Sequence, residues 1–310
     1  MILVGDVGGT RTRLALAARG DDGWRLTQLE ERATGNDILT VIARYLADAR
    51  APRVEAAAFC GAGPVSPDGS IRLTNNNVLL EPAALAHAAG QSRAILINDF
   101  TAIAEAIPHL PAQALKQCGG GWAMASAPIV VIGPGTGLGV AIATPSAGGW
   151  VTITGDGGHA DLAPVDDEEL VIWQQLRVVL PRVSAESVLC GPGLERLYAL
   201  LSDGERRTAA EIAEAASRGE PPAVRSLAVF TRWLGHVAGN LALTAGANGG
   251  VYLAGGFLPH WGALFDKALF RAAFEDKAPH GRWLREIPTF IVMHPQPGLL
   301  GLAALAAASA

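Results

Sequence analysis

The chain is poor in cysteine and has no long basic run, and each of these absences excludes a class of protein. Cys60, Cys118 and Cys190 are an odd number of widely spaced thiols, without the density of a disulfide scaffold or the spacing of a metal site. Neither an HExxH nor a CxxC motif is present, so no structural zinc site is expected. The net charge of −5, with no Lys/Arg cluster, argues against nucleic acid as a partner.

Long apolar runs are also missing. No apolar stretch approaches the roughly 18 residues that a membrane span needs, and MILVG ends at Asp6 before the core of a signal peptide could form. We therefore expect a cytoplasmic protein without a membrane partner. At 310 residues, half of them hydrophobic, the chain suits two domains.

What the sequence does contain is an alternation of strand-like and helical segments. In the first hundred residues MILVGD, RTRLALAA, VEAAAFCGAG and AILIND read as strands, and DILTVIARYLADA and AALAHAAG as helices. This alternation predicts an α/β fold with a mostly parallel sheet. Residues 167–247 are largely helical in pattern, GGVYLAGGF and IPTFIVMHP are predicted strands, and the apolar C-terminal helix is expected to pack on the first domain. We predict a small α/β domain of 1–108 plus 298–310 and a large α/β domain of 109–297.

Two glycine-rich turns join pairs of aliphatic strands. The first is DVGGT, beginning at Asp6, and the second is GPGTGLG, beginning at Gly133, 127 positions later. This spacing favours an internal repeat of two α/β halves with a cleft between them, although two independent hairpins would look the same. Because successive N–H groups of such turns can point at one anion, the pair suits a nucleoside triphosphate, with Asp6 near a Mg²⁺ water shell. Neither a P-loop nor a Rossmann fingerprint is matched.

Polar residues follow the strand AILI directly, as Asn98-Asp99. A helix cap explains a lone Asp here, because TAIAEAI begins a helix. A side chain at the end of a buried strand is also well placed for catalysis, so both interpretations stay open at this point.

A second polar group lies in GDGGH, where glycines flank Asp156 and His159. Such side chains can bind vicinal hydroxyls, whereas a lone His is more often a satisfied core or loop residue. Glu186 is a further hydroxyl acceptor, or else the N3 acid of a capping box opened by Ser184, or part of a solvated helix face. The asparagines at 75–77 either contribute amides to the same pocket or build a turn.

A series of ordered segments with matching spacing connects the chain to a known family. The segments are DVGGTRTRLALA, LTNN, INDFTAIAEAIP, GPGTGLGVA, GDGGHADLAP, VLCGPGLERLY, GNLAL, GGVYLAGGFLP, FRAAFEDK and PGLLG. In them the chain resembles, from end to end, the bacterial glucokinase family of the actin-like/hexokinase ATPase fold. It lacks the zinc-binding cysteine cluster of the repressor-type sugar kinases, so it is similar to the non-zinc group.

The resemblance implies a two-domain actin-like ATPase (ribonuclease H-like) fold that phosphorylates glucose at the 6-hydroxyl with ATP and Mg²⁺, the first step of glycolysis. It implies Asp99 as the catalytic base. It assigns sugar binding to Asn98, Asp99, Gly137, Asp156, His159 and Glu186. It assigns nucleotide binding to Asp6, Gly8, Gly9, Thr10, Thr136, Gly255 and Gly256. The family also implies a homodimer, and no protein ligand set for a metal is predicted.

Three positions depart from the family pattern. Asp156 stands where the family usually has Glu, Arg11 where it often has Asn or His, and the segment NNNVLLEP lacks a Trp that commonly follows LTN. The shorter Asp156 side chain withdraws its carboxylate by roughly 1–1.5 Å, one C–C bond of reach. Asp156 and the altered 75–79 segment favour a kinase for another hexose or an amino sugar. A sugar sensor without catalytic activity is a further alternative, which the intact Asp99 and both glycine-rich turns argue against.

Overall fold

The structure is a computed structural model that describes residues 1–21, 23–35, 37–49, 54–74 and 76–309. Contacts divide the chain into two compact units. The first unit comprises Met1–Ala114, Thr152–Gly155 and His294–Ala310, and the second comprises Leu115–Val151 and Asp156–Met293. The domain bounds predicted from the sequence remain a prediction.

The first unit is built on a five-stranded mixed sheet. Its strands are β1 (Ile2–Val7), β2 (Arg11–Gly20), β3 (Gly23–Ala33), β4 (Ala56–Gly61) and β7 (Ile95–Asn98), with a separate pair β5 (Ile71–Arg72) and β6 (Leu79–Leu80). The sheet order is β3-β2-β1-β4-β7. β1 pairs antiparallel with β2 and parallel with β4, which in turn pairs parallel with β7. The carboxyl ends of β1, β4 and β7 therefore meet at one edge of the sheet.

Helices cover this sheet. They are α1 (Ile38–Asp48), α2 (Pro82–Ala88), α3 (Asp99–Ala106) and the C-terminal α11 (Pro297–Ala308). α11 is apolar on every side, and Leu299 and Leu302 share a buried cluster with Val4 of β1. A Cβ on Gly301 would lie 1.8 Å from the carbonyl oxygen of Ala102, so glycine is needed for the close approach of α11 to α3. This packing fixes the position of α3 behind the end of β7.

The second sheet has six strands in the order β11-β10-β9-β12-β13-β8, and it belongs to the second unit except for residues 152–154 of β11. The strands are β8 (Leu115–Gly119), β9 (Ile129–Pro134), β10 (Leu138–Ser146), β11 (Gly149–Thr154), β12 (Val251–Leu253) and β13 (Thr289–Val292). β9 is buried along its whole length, pairs antiparallel with β10 and pairs parallel with β12. It occupies the position in this sheet that β1 occupies in the first.

Seven helices of the described chain belong to the second unit. They are α4 (Asp167–Val179), α5 (Gly191–Leu201), α6 (Ala209–Ser217), α7 (Pro221–Ala245), α8 (Leu258–Trp261), α9 (Lys267–Glu275) and α10 (Gly281–Glu286). α7 runs through the core and buries Phe230 and Trp233 completely. It ends at Gly246, which has the left-handed conformation (φ 62°) of a helix C-cap. No described helix is both long and apolar enough to cross a membrane.

The two glycine-rich turns lie at equivalent places in the two sheets. β1 and β9 each have six residues, and both the strand bounds and the start of the following strand are offset by 127 positions. Each hairpin is antiparallel, and each first strand pairs parallel with the next strand of its sheet. The repeat predicted from the sequence therefore corresponds to a repeated sheet topology.

Candidate active site

Asp99 is the first residue of α3 and follows β7 directly. The cap of this helix is Asn98, whose Oδ1 accepts hydrogen bonds from the N–H groups of Phe100 at 2.9 Å and Thr101 at 3.2 Å. Asp99 Oδ1 also accepts from the Phe100 N–H, at 3.0 Å, whereas Asp99 Oδ2 accepts from no described residue. The need for a cap therefore does not explain Asp99, and one of its oxygens remains for chemistry.

The side-chain amide of Asn98 is largely committed to the protein. Besides the two bonds that its oxygen accepts, its Nδ2 donates to the carbonyl oxygen of Gly63 at 3.2 Å. Because an amide nitrogen carries two hydrogens, Asn98 keeps one N–H that can donate to a ligand.

The ionisation of Asp99 is strongly perturbed. Burial, followed by the negative charge of Asp6, raises the pKa of Asp99 to about 7, although the Phe100 N–H and the Asn98 side-chain amide oppose the shift. The Asp6 charge acts on Asp99 because both residues lie near the carboxyl ends of parallel strands in one sheet. A carboxyl group that titrates near neutral pH matches the requirement for a general base.

Asp6 lies near the end of β1 between two partners. Cys60 Sγ donates to Asp6 Oδ1 at 3.7 Å, and Arg13 Nη1 lies 3.5 Å from Asp6 Oδ2. The sheet register brings them together, since Asp6 pairs across from Arg13 on β2 and from Cys60 on β4. Burial raises the pKa of Asp6 and Arg13 opposes that shift. Burial also raises the pKa of the Cys60 thiol, which keeps it a neutral donor.

The first glycine-rich turn, Gly8-Gly9-Thr10, connects β1 to β2. The Gly8 N–H donates to the carbonyl oxygen of Arg11 at 3.0 Å. Among the described residues, none accepts a hydrogen bond from the N–H of Gly9 or Thr10, and the Thr10 side chain is exposed. Two adjacent N–H groups and a hydroxyl are therefore available to an anion.

The second turn, between β9 and β10, is closed by a hydrogen bond from the Gly135 N–H to the carbonyl oxygen of Gly137 at 2.8 Å. Thr136, at its tip, is exposed. Gly255, just after β12, has φ +92°, and a Cβ there would lie 2.4 Å from the carbonyl oxygen of Pro134. On Gly256 a Cβ would meet no atom within 4 Å. The second turn and the Gly255-Gly256 pair thus lie next to each other, with open space beside the latter.

In the second unit Glu186 lies next to two other predicted sugar-binding residues, Gly137 and His159. Its Oε2 accepts a hydrogen bond from the Leu138 N–H at 2.8 Å, and its Oε1 lies 3.4 Å from His159 Nε2. A Cβ on Gly137 would lie 2.5 Å from Glu186 Oε2, so the glycine lets the carboxylate keep this position. The capping box opened by Ser184 is completed by Ser187, so the proposed role of Glu186 as its N3 acid is wrong.

His159 and Asp156 extend this group toward solvent. His159 Nδ1 lies 3.3 Å from Asp156 Oδ1, and the side chains are 58% and 72% exposed. His159 is therefore not a satisfied core histidine, and it lies between two carboxylates. Such a row of acceptors and donors suits the hydroxyls of a sugar.

The segment at 75–77 is divided by the structure. Asn75 lies outside the described residues. Asn76 Nδ2 donates to the carbonyl oxygen of Gly9, and Asn77 has the left-handed conformation, with φ 58°. In the described part of this segment one asparagine supports the first glycine-rich turn and the other builds its own turn.

No group of three or more His, Cys, Asp or Glu side chains that could hold a metal is found among the described residues. The partly buried Asp6 carboxylate, beside the free N–H groups of the first turn, suits a Mg²⁺ ion that arrives with a polyphosphate. Such ions keep most of their water and need only one or two protein carboxylates.

Residues 3–309 match the protein-family model described as Glucokinase. The chain is 40% identical to a glucokinase from Nitrobacter hamburgensis, over 98% of this chain and 96% of that protein. To a glucokinase from Chromobacterium violaceum it is 41% identical, over 97% and 88%.

The structure is similar to a crystal structure of glucokinase from an Antarctic psychrotroph, with a TM-score of 0.89, 30% identity and coverage of 99% and 98%. The ROK family glucokinase from Streptomyces griseus, solved with glucose and AMPPNP, shares the fold, with a TM-score of 0.66, 21% identity and coverage of 99% of both chains. The actin-like ATPase fold inferred from the sequence is thereby confirmed. The chain belongs to the glucokinase family.

Proposed function

We propose that this chain transfers the γ-phosphoryl group of ATP to the 6-hydroxyl of glucose, with Asp99 as the general base. Membership of the glucokinase family supports the reaction. The observation that supports Asp99 as the base is its hydrogen bonding together with its pKa. Asn98 caps α3, so Asp99 keeps one carboxylate oxygen without a described partner, and burial raises the pKa of Asp99 to about 7.

Phosphoryl transfer does not require a covalent intermediate with the protein. Phosphoryl transfer depends on positioning and on neutralising charge, and a carboxylate fixed at a strand end can hold one hydroxyl in line with the γ-phosphorus. The oxygen of the 6-hydroxyl bonds to the γ-phosphorus while the bond between that phosphorus and ADP breaks. Asp99 Oδ2 accepts the proton that the hydroxyl loses.

In this proposal the sugar is bound by several hydrogen-bonding groups. Asn98 donates its remaining N–H to a hydroxyl, and the Gly137 backbone, Asp156, His159 and Glu186 contact the other hydroxyls. The 2.8 Å bond from the Leu138 N–H orients the Glu186 carboxylate, which supports its role as an acceptor.

ATP is bound by the two glycine-rich turns. The free N–H groups of Gly9 and Thr10 donate hydrogen bonds to phosphate oxygens, Gly8 shapes the turn, and the Thr136 hydroxyl donates from the second turn. The Gly255-Gly256 pair leaves space for adenosine. Asp6 would hold Mg²⁺ through water, and the ion would supply positive charge to the phosphates.

A kinase for another hexose or an amino sugar remains the second candidate. The observation that favours it is Asp156, which is shorter than the usual Glu and 72% exposed; in this alternative, water replaces its direct contact with glucose. A sensor without catalytic activity is less well supported, because Asp99 is not needed as a cap.

The experiment that tests the proposal is ADP release in a coupled assay with Mg-ATP and glucose, mannose, fructose, glucosamine or N-acetylglucosamine. We expect the highest kcat/KM with glucose. A different preferred sugar supports the second candidate, and Asp156→Glu then tests whether that residue sets the preference. Sugar binding by calorimetry without ADP release from any of the five supports the sensor.

The pH dependence of the reaction follows from the pKa of Asp99. The base must be ionised, so kcat/KM for glucose should rise about tenfold per pH unit below pH 7 and level off above it, where Asp99 is charged. The measurement is a kcat/KM profile from pH 5.5 to 9 at saturating Mg-ATP. A profile that is flat across pH 7 would contradict a base with this pKa.

We also propose that the protein is a cytoplasmic homodimer, as the resemblance implies. Exposed apolar side chains on α4, Val171 (55%) and Val178 (84%), are available for association. Light scattering of the purified protein tests the dimer.

A further inference from the structure

All three carbonyl groups of the Gly8-Gly9-Thr10 turn accept hydrogen bonds from residues outside the turn. Thr34 Oγ1 donates to the Gly8 carbonyl oxygen at 2.7 Å, and the Thr34 N–H donates to that of Thr10 at 3.0 Å. Asn76 Nδ2 donates to the carbonyl oxygen of Gly9 at 2.5 Å. Two side chains from different parts of the first unit thus hold one short turn.

Thr34 is itself held in a single orientation. It follows β3 and is fully buried, as is Thr12 on β2. The hydroxyl oxygens of Thr34 and Thr12 are 3.0 Å apart. Because the one hydroxyl hydrogen of Thr34 goes to Gly8, Thr12 must be the donor in this pair. The hydrogen bonds therefore run in one direction, from Thr12 through Thr34 to the Gly8 carbonyl oxygen.

The hydrogen bonds to the carbonyl oxygens of Gly8 and Gly9 also set the directions of the N–H groups of Gly9 and Thr10. In a trans peptide the C=O of one residue and the N–H of the next point in opposite directions. The bond from Thr34 to the Gly8 oxygen therefore sets the direction of the Gly9 N–H, and the bond from Asn76 to the Gly9 oxygen sets that of the Thr10 N–H. These are the two N–H groups of the turn without a described acceptor.

We propose that Thr34 and Asn76 are positioning residues that aim the Gly9 and Thr10 N–H groups at the phosphates of the nucleotide. This inference rests on the proposed function, since the turn binds phosphate only if the chain uses a nucleotide. Neither side chain contacts the reacting atoms; each acts through the peptide group that it holds. A peptide free to rotate would present its carbonyl oxygen to the phosphate and repel it.

The test compares Thr34→Val with Thr34→Ser and Thr27→Val. Valine keeps the shape of threonine but cannot donate to Gly8, whereas serine can. Thr27 lies on β3 and donates to the carbonyl oxygen of Leu16 at 3.2 Å, so Thr27→Val removes a comparable bond away from the turn. Mg-ADP affinity and glucose affinity are each measured by calorimetry, alongside KM for ATP.

We expect Thr34→Val to weaken Mg-ADP binding and raise KM for ATP by about tenfold, the usual effect of leaving one buried acceptor unpaired. Glucose affinity without nucleotide should stay at the wild-type value. Thr34→Ser should restore nucleotide binding, and Thr27→Val should not affect it. Asn76→Ala, at a less buried position, should weaken Mg-ADP binding in the same direction and covers the case in which Thr34→Val fails to fold.

The inference is overturned if Thr34→Val and Asn76→Ala bind Mg-ADP as well as Thr27→Val does, or if glucose affinity falls equally in them. If the wild type phosphorylates no sugar but binds Mg-ADP and the two variants lose that binding, the proposed function fails and the positioning role stands. A wild-type protein that binds no Mg-ADP overturns both.

Discussion

We expect Asp99→Asn to lower kcat for glucose phosphorylation by about three orders of magnitude while changing KM for glucose by less than about threefold. Asparagine has nearly the shape of aspartate and keeps an oxygen that accepts the Phe100 N–H, so the start of α3 should not move. What it cannot do is take the proton of the 6-hydroxyl. The measurement is steady-state kinetics with Mg-ATP at pH 8, where wild-type Asp99 is ionised.

The matched control is Asp48→Asn, at the end of α1. Asp48 is 63% exposed and forms a surface ion pair with Arg32 at 2.8 Å, so its loss should leave kcat at the wild-type value. A kcat for Asp99→Asn within about tenfold of the wild type would remove Asp99 from the role of general base.

The stability of Asp99→Asn separates lost chemistry from lost structure. Burial raises the folded-state pKa of Asp99 to about 7, from the ordinary value of 3.8. Stability from this group is therefore fully present below pH 3.8 and is lost as the pH rises through 7. At pH 8 the neutral asparagine should increase the free energy of unfolding, on the order of 2 kcal/mol after discounting for solvent screening. Urea unfolding should thus show an inactive variant that is more stable than the wild type.

The second large effect is expected at Glu186. Glu186→Ala should raise KM for glucose by about 10²-fold, because the sugar loses a charged acceptor and the Leu138 N–H loses its partner. Glu186→Gln keeps an oxygen that can accept the same N–H, so its KM should lie between those of the wild type and the alanine variant. Both values come from ADP release over a range of glucose concentrations.

Glu214→Ala is the control for this series. Glu214 lies on α6 in the same unit, is 71% exposed and pairs with Arg218 at 2.7 Å, so its removal should leave KM for glucose unchanged. If Glu186→Ala has the same KM as Glu214→Ala, Glu186 does not bind the sugar, and its contact with Leu138 is structural.

Apolar strands were predictable from the sequence, including the edge strand β7, whereas the polar edge strands β3 and β8 were not. β1 and β9 are apolar runs that end at glycine-rich turns, which identify them without any knowledge of the fold. β3 has the sequence GWRLTQLEERA and mostly exposed side chains at one edge of its sheet, so it carries no apolar run. The short edge strand β8, LKQCG, is similar. In these two edge strands, exposure to solvent removes the apolar pattern on which such predictions depend.

The same limit applies to the candidate site. Asn98 and Asp99 are both good helix caps and are adjacent, so the sequence could not say which one caps α3; the backbone of the folded protein decides it. Likewise, the contact of Cys60 with Asp6 depends on the register of β4 against β1. Thr34 gave no signal, because its importance lies in a hydrogen bond to a turn 26 positions away in sequence.

The most direct test of the account is the identity of the phosphorylated product. Wild-type protein is incubated with Mg-ATP and glucose, and the sugar phosphate is assigned by phosphorus–proton correlation NMR while ADP is quantified. We expect glucose 6-phosphate in an amount equal to that of ADP. Phosphate on a different hydroxyl, or ADP with only inorganic phosphate beside unchanged glucose, would contradict it.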